Sequence, residues 1–195
     1  MRIIGVTGGV GAGKSTVLEL LKEEYGAELL MADAIGRELQ EPGGACYEAM
    51  RGLFGEGCLL EDGTFDRKQI AAQIFSDEVM KEKLNAIVHP AVRAEIERRL
   101  GALAWEGQPI AVIESAILFE AGYETMCDEV WIVTAEPQVR IRRLMESRGY
   151  TKEKCLQIMK NQPPEEKIKT LADHVIENNT DLDAVKKQIA GILPV

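Results

Sequence analysis

Apolar residues along the chain fall into two rhythms, short continuous runs and helical repeats. Ile3 to Thr7 is apolar, partly β-branched and closed by glycine, which predicts a buried strand. From Lys14 the period turns helical, with Val17, Leu18, Leu21 and Tyr25 on one face and Gly26 as the stop. Glu28 to Ala32 predicts a second short strand that ends at Asp33. "PIAVIE" (Pro109 to Glu114) and "EVWIVT" (Glu129 to Thr134) predict two further buried strands, and "HVIE" (His174 to Glu177) a last one. Helices are expected over Pro137–Arg148, Thr151–Asn161 and Leu182–Leu193. From Ala34 to about Trp105 the pattern is mostly helical, broken at "EPGG" and "EDGT". That stretch is too long for one crossover and predicts a helical insertion, about 34–105, within a single domain 1–195. Strands alternating with helices imply an α/β fold with a mainly parallel sheet.

Composition narrows the partners. With 195 residues, 46% of them hydrophobic and 28% charged, the chain can bury a substantial core. The net charge of −9 argues against general attraction to nucleic acid or anionic lipid. No apolar run approaches the roughly 20 residues of a membrane span, and the start of the chain lacks the layout of a secretory signal. A cytoplasmic protein with no membrane or nucleic-acid partner is expected, as a monomer or weak oligomer. The four cysteines are scattered without a CxxC pair, and with only two histidines the expectation is reduced thiols and no structural zinc.

Against that background one segment stands out. Gly8, four residues, then Gly13-Lys14-Ser15 match GxxxxGK[ST] at every fixed position, between a predicted strand and a predicted helix. Glycines there let backbone N–H groups converge on one point and let phosphate oxygens approach without a Cβ in the way. The following helix aims its positive dipole end at the same anion. Lys14 can reach the β- and γ-phosphates of a nucleoside triphosphate, and the Ser15 hydroxyl can ligate magnesium. A dinucleotide-binding GxGxxG loop, for which Asp33 would be a ribose ligand, requires a glycine where Lys14 stands. A purely structural glycine turn is the other alternative.

Phosphate loops serve kinases, switches and motors. A GTPase needs Asn-Lys-x-Asp, and the nearest text, Asn178-Asn179-Thr180-Asp181, lacks the lysine. A small-molecule kinase needs a carboxylate at the acceptor, an acid near magnesium and arginines over the transferring phosphate. Asp33, past the second strand, is placed to orient a hydroxyl or take its proton; it equally suits the N-cap of a helix starting near Ala34. Glu114 ends its strand, where it could hold a magnesium-bound water or simply be solvated, and Glu120 has the same two readings. Arg140, Arg142, Arg143 and Arg148 lie in one helical stretch, with Arg140 and Arg143 on one face. Singly each fits a solvated face paired with Glu136 and Glu146; together they suit a lid over phosphates. His89, before Pro90, reads as a helix-boundary residue.

The ordered set of motifs resembles the dephospho-coenzyme A kinase family over nearly the whole chain. "GVTGGVGAGKST" resembles its opening and "MADAIGRELQEPGG" its Asp-Ala-Asp segment. "FDRKQIAAQIF" and "LNAIVHPAVR" resemble its helical substrate region, and "SAILFEAG" its Pro-Leu-Leu-Phe-Glu segment. "EPQVRIRRLMESRGYT", "NQPPEEK" and "ADHVIENN" resemble its lid and C-terminal elements. Met31 stands where the family has its first aspartate, leaving Asp33 to inherit the carboxylate role, and Ala116 stands where proline is usual.

The resemblance implies a three-layer P-loop kinase fold with a helical lid, about 137–165. It also implies a reaction in which ATP, with Mg2+, phosphorylates the ribose 3′-hydroxyl of dephospho-coenzyme A. By the same resemblance, Gly8, Gly9, Gly11, Ala12, Gly13, Lys14, Ser15 and Thr16 hold the ATP phosphates. Ser15 binds Mg2+ directly and Glu114 does so through water. Asp33 positions the hydroxyl, and Arg140, Arg143 and Arg148 neutralise the transferring group. His89, Arg93 and Glu120 contact the acceptor, and Asn178 and Asn179 lie near the adenine.

Overall fold

A computed structural model describes residues 1–193. Its five strands are β1 (Arg2–Thr7), β2 (Glu28–Met31), β3 (Ile110–Glu114), β4 (Glu129–Thr134) and β5 (His174–Glu177), in the sheet order β2-β3-β1-β4-β5. β1 pairs in parallel with β3 and β4, and β4 with β5. In β4 every residue from Val130 to Thr134 is buried, and so are Ala111 to Glu114 in β3. Consecutive burial means that both faces of the sheet are covered, as parallel sheets require. The α/β class and the parallel sheet are as the sequence predicts.

The chain divides into two compact units, residues 31–102 and the remainder. In the sheet-bearing unit, α1 (Lys14–Tyr25) follows β1, with Val17, Leu18, Leu20 and Leu21 buried. After β4 come α6 (Pro137–Arg148), α7 (Lys152–Lys160) and the short α8 (Glu165–Lys169); α9 (Leu182–Ile192) follows β5. Pro137 opens α6 at its first turn, where the missing N–H costs nothing. Thr151 caps α7 by accepting from the Lys154 N–H, and Asp181 caps α9 through Ala184. α8 had no counterpart in the periodicity, being too short to show a repeat. Trp131, Ile132 and Ile113 are fully buried at the centre of the core.

The two ends of the sheet differ in chemistry. At the amino-terminal edge side chains close off the backbone: Asp128 Oδ2 accepts from Ile3 N–H and Asp173 Oδ2 from Val130 N–H, both at 2.7 Å. The carboxyl edge opens into the glycine loop after β1. There the strand order reverses, β1 leading on to β2 beyond β3 and β3 leading on to β4 beyond β1, the usual ligand position of such folds.

The other unit contains α2 (Ala32–Leu39), α3 (Tyr47–Phe54), α4 (Arg67–Ser76) and most of α5 (Glu78–Trp105). Its core is Cys46, Tyr47, Met50, Cys58, Phe65 and Ile70, with Leu39, Leu84, Ile87 and Val88 packed against it. The "EPGG" and "EDGT" interruptions separate α2 from α3 and α3 from α4.

Two local expectations are corrected here. The second strand stops at Met31 and α2 begins at Ala32, so Asp33 is the second residue of the helix and the N-cap is Met31. Nor is His89-Pro90 a boundary, because α5 runs through Pro90 for 28 residues. Proline removes the N–H that would bond the Ala86 carbonyl. Burial of Val92, Ile96 and Leu100 beyond the proline holds the helix together despite that loss. At its end Trp105 is 93% exposed.

Candidate active site

The glycine loop is fixed at both ends by neighbours that leave no room for side chains. Where it leaves β1, a Cβ on Gly8 would run into the carbonyl oxygen of Val133 in β4. Gly13 has φ 89°, left-handed backbone, and a Cβ there would strike the Asn178 amide nitrogen. Gly13 is also the N-cap of α1, so this geometry sets how the first N–H groups of the helix open toward the loop. Within the turn, Ala12 N–H donates to Gly9 O and Thr16 N–H to Gly13 O, both at 3.1 Å.

Lys14 folds back across this loop. Its Nζ donates to Gly8 O at 2.9 Å and lies 3.6 Å from Oε1 of Glu114, the buried last residue of β3. Loop, cation and carboxylate therefore meet at the carboxyl ends of adjacent strands. Ser15 is exposed at the second position of α1, and Thr16 is half-buried beside it.

The arginines of α6 separate into two kinds. Arg140 is buried, and its guanidinium donates to Val10 O (2.9 Å), Gln162 Oε1 (2.7 Å) and Glu165 Oε2 (3.2 Å). Burial pulls its pKa below the usual guanidinium value, with the Glu165 carboxylate opposing. Arg143, one turn on, donates to Ala12 O at 3.2 Å and to Asn178 Oδ1 at 3.0 Å. Neither uses Glu136 or Glu146, the partners that a solvated face would offer. Arg142 and Arg148 are exposed, Arg148 at the last position of α6.

Asn178, just past β5, is buried and donates to Ala12 O (3.2 Å) and Gly13 O (3.3 Å). Asn179 turns the other way: its Oδ1 accepts from Glu136 N–H at 2.7 Å and ties the end of β5 to the start of α6. Glu120 is exposed in the turn that follows Ser115.

Asp33, His89 and Arg93 belong to the helical unit. Asp33 is exposed in the first turn of α2. His89 and Arg93 lie one turn apart in α5; burial pulls His89 below its ordinary pKa, and Arg93 Nε donates to Glu97 at 3.0 Å.

The structure brings together Lys14, Glu114, Arg140, Arg143 and Asn178 around one loop. It adds Gln162 and Glu165, to which sequence reasoning gave no role. Their signal was present in "NQPPEEK", but nothing local in that segment says which atoms it meets. A cavity of about 310 Å³ is lined by Gly8, Gly9, Arg140, Gln162, Glu165 and Lys160 among others. Among the described residues no helix is long and apolar enough to cross a membrane.

Comparison with known proteins gives a consistent picture. The sequence model of the CoaE family, dephospho-CoA kinase, matches residues 2–184. A dephospho-CoA kinase of Geobacter sulfurreducens is 39% identical over 192 residues, covering 98% of this chain and 97% of that protein. Among solved structures, TT1252 from Thermus thermophilus has a TM-score of 0.84 at 33% identity, covering 98% of this chain and 96% of the other. A dephospho-CoA kinase from Campylobacter jejuni shares the fold, with a TM-score of 0.71 at 23% identity and coverage of 99% and 96%.

Proposed function

We propose a division of labour among these residues, on the premise that the chain belongs to the dephospho-CoA kinase family. It transfers a phosphoryl group from ATP to dephospho-CoA, the step that yields coenzyme A. The observation that carries the assignment is the meeting of Lys14 with the Gly8 carbonyl and with Glu114 at the loop after β1.

The loop N–H groups and Lys14 hold the β- and γ-phosphates, with the dipole of α1 directed at the same charge. Asn178, bonded to two loop carbonyls, keeps the helix start in register with the loop. Asp33 orients the ribose 3′-hydroxyl and takes its proton as the oxygen attacks the γ-phosphorus. The new O–P bond forms as the bond to the bridging oxygen breaks, and ADP leaves with the electron pair. Arg140 and Arg143 neutralise charge on the transferring group from the side of α6, and Arg148 joins them from its exposed position. Such arginines contribute about 10³-fold or more in related phosphoryl transfers. His89, Arg93 and Glu120 are assigned to the acceptor, and the helical insertion, about 34–105, binds the acceptor within a single kinase domain.

The residues present fit magnesium. Ser15 offers a hydroxyl and Glu114 a carboxylate, both hard oxygen donors, and Glu114 is buried beside the Lys14 ammonium at the loop. Magnesium keeps most of its shell as water and phosphate oxygens, so Ser15 directly and Glu114 through water are sufficient protein ligands. When bound, the ion offsets negative charge on the β- and γ-phosphates. ATP as donor supports a cytoplasmic setting for the reaction.

Incubation with Mg-ATP and dephospho-CoA, followed by mass spectrometry and position-specific analysis, tests the assignment. One added phosphoryl group on the 3′-oxygen is the expected product. Phosphorylation elsewhere, or preference for another small alcohol over dephospho-CoA, would overturn the acceptor assignment.

A further inference from the structure

Gln162 sits between the C-cap of α7, Asn161, and the pair Pro163-Pro164. Its side-chain oxygen accepts two hydrogen bonds, from Val10 N–H at 3.2 Å and from Arg140 Nη2 at 2.7 Å. Both partners are donors, so the atom they share must be the amide oxygen, and the orientation of the amide follows from chemistry alone. Arg140 Nε donates in turn to the carbonyl of the same residue, Val10. Both backbone polar groups of Val10, inside the phosphate loop, are thereby held by residues of the α6–α8 segment.

The consequence falls on Arg140. Of its five N–H groups, three are taken by Val10 O, Gln162 Oε1 and Glu165 Oε2, leaving one on each terminal nitrogen. The guanidinium lies so close to Gly9 that a Cβ there would collide with it. Arg140 and Gln162 share the wall of the 310 Å³ cavity with Gly8 and Gly9. A guanidinium gripped from three directions presents its remaining N–H groups in a set direction, which is what charge neutralisation in a transfer step needs. Pro163 restricts the backbone of Gln162 and so reduces the freedom lost when its side chain is held.

We propose that Gln162 is a positioning residue for phosphoryl transfer, aligning Arg140 with the Gly8–Gly9 edge of the loop through its shared amide oxygen. The inference rests on the reading of Arg140 as an arginine that neutralises the transferring group. Cohesion of α6 with α7 does not require Gln162, since Ile141, Leu144 and Cys155 form their own buried cluster with Val10, Tyr150 and Met159.

Steady-state kinetics of the full chain, with Mg-ATP and dephospho-CoA, compare Gln162→Leu, Gln162→Glu, Arg140→Met and the Gln162→Leu/Arg140→Met double variant. Gln162→Leu should lower kcat about tenfold to a hundredfold, the weight of a hydrogen bond to a charged group, with KM for ATP nearly unchanged. Gln162→Glu should recover most of the loss, because a carboxylate still accepts from both donors. In the Arg140→Met background Gln162→Leu should cost far less than it does in the parent chain, leaving only the part due to the lost Val10 N–H bond. A severely impaired Arg140→Met beside a normal Gln162→Leu would overturn the positioning role and leave Arg140 in place. A normal Arg140→Met would overturn the reading of Arg140 itself. If Gln162→Leu lowered Tm and its lost activity matched the unfolded fraction, with no recovery in Gln162→Glu, the role would be structural and the proposal would fall.

Discussion

Arg143 Nη2 donates to Asn178 Oδ1 at 3.0 Å, and both side chains also donate to the same carbonyl, that of Ala12, at 3.2 Å. One arginine and one asparagine, 35 residues apart, thus close a triangle on the phosphate loop. Asn178→Ala opens two sides of it in a buried setting. Stability should fall by about 1–3 kcal/mol, and KM for ATP should rise. Thermal melts with and without ATP measure both; an unchanged KM would mean that the triangle serves only the fold.

Lys14→Met removes the cation from the loop and leaves the strand and helix frame intact. A fall in kcat of about 10²-fold or more is expected, by analogy with removal of one charge-stabilising group from an active site. Circular dichroism should remain that of the parent chain. Near-normal turnover in a folded variant would refute the assignment of the loop.

Gly13→Ala places a methyl against the Asn178 amide on left-handed backbone. Both effects act at the N-cap of α1, so ATP binding should weaken severely and Tm should drop. Restoring space with Asn178→Gly removes the collision but also the Asn178 hydrogen bonds, so the double variant should remain less stable than Asn178→Gly alone by the backbone strain of roughly 1–2 kcal/mol. A double variant as stable as Asn178→Gly would show that collision, not backbone conformation, demands glycine.

Asp33→Asn separates catalysis from helix capping. Because Met31 is the N-cap and Asp33 lies in the first turn, its stabilising effect is confined to the dipole, about 0.3–1 kcal/mol. The expected outcome is a large fall in kcat, little change in KM for ATP and a nearly unchanged Tm. A lower Tm at unchanged kcat would return Asp33 to a purely structural role.

Acid should reveal the cluster on α5. Arg98 and Arg99 hydrogen-bond Glu95 and hold its pKa at about 2, against an ordinary 4.5. A carboxylate whose pKa is lowered by folding stabilises the fold above the unfolded pKa, and that contribution is lost as pH falls through the folded value. The Tm advantage of the parent over Glu95→Gln should therefore be full above pH 4.5 and shrink steadily toward pH 2. A constant gap across that window would contradict the ion-paired state of Glu95.

Much of the fold was legible because local chemistry and final packing agree. β4 spans Glu129–Thr134 and α6 spans Pro137–Arg148 as the periodicity predicts, with turn or capping signals at their ends. Disagreement arose where packing overrode a local preference. Asp33 suits an N-cap, yet α2 starts earlier; Pro90 suits a boundary, yet buried contacts carry α5 through it. At the site, Lys14 and the glycines were legible because their spacing is itself the chemistry. Gln162 was not, since its partner Val10 is 152 residues away and only the folded sheet brings them together.

The placement of the two tryptophans has an optical consequence. Trp131 is wholly buried beside His174, with the rings edge to face at 6.0 Å, whereas Trp105 at the end of α5 is 93% exposed. The chain should therefore emit as two populations: a blue-shifted, iodide-resistant one from the sheet and a red-shifted, quenchable one from the helix end. Collisional quenching of native fluorescence can follow the core and the end of α5 separately, with no label added.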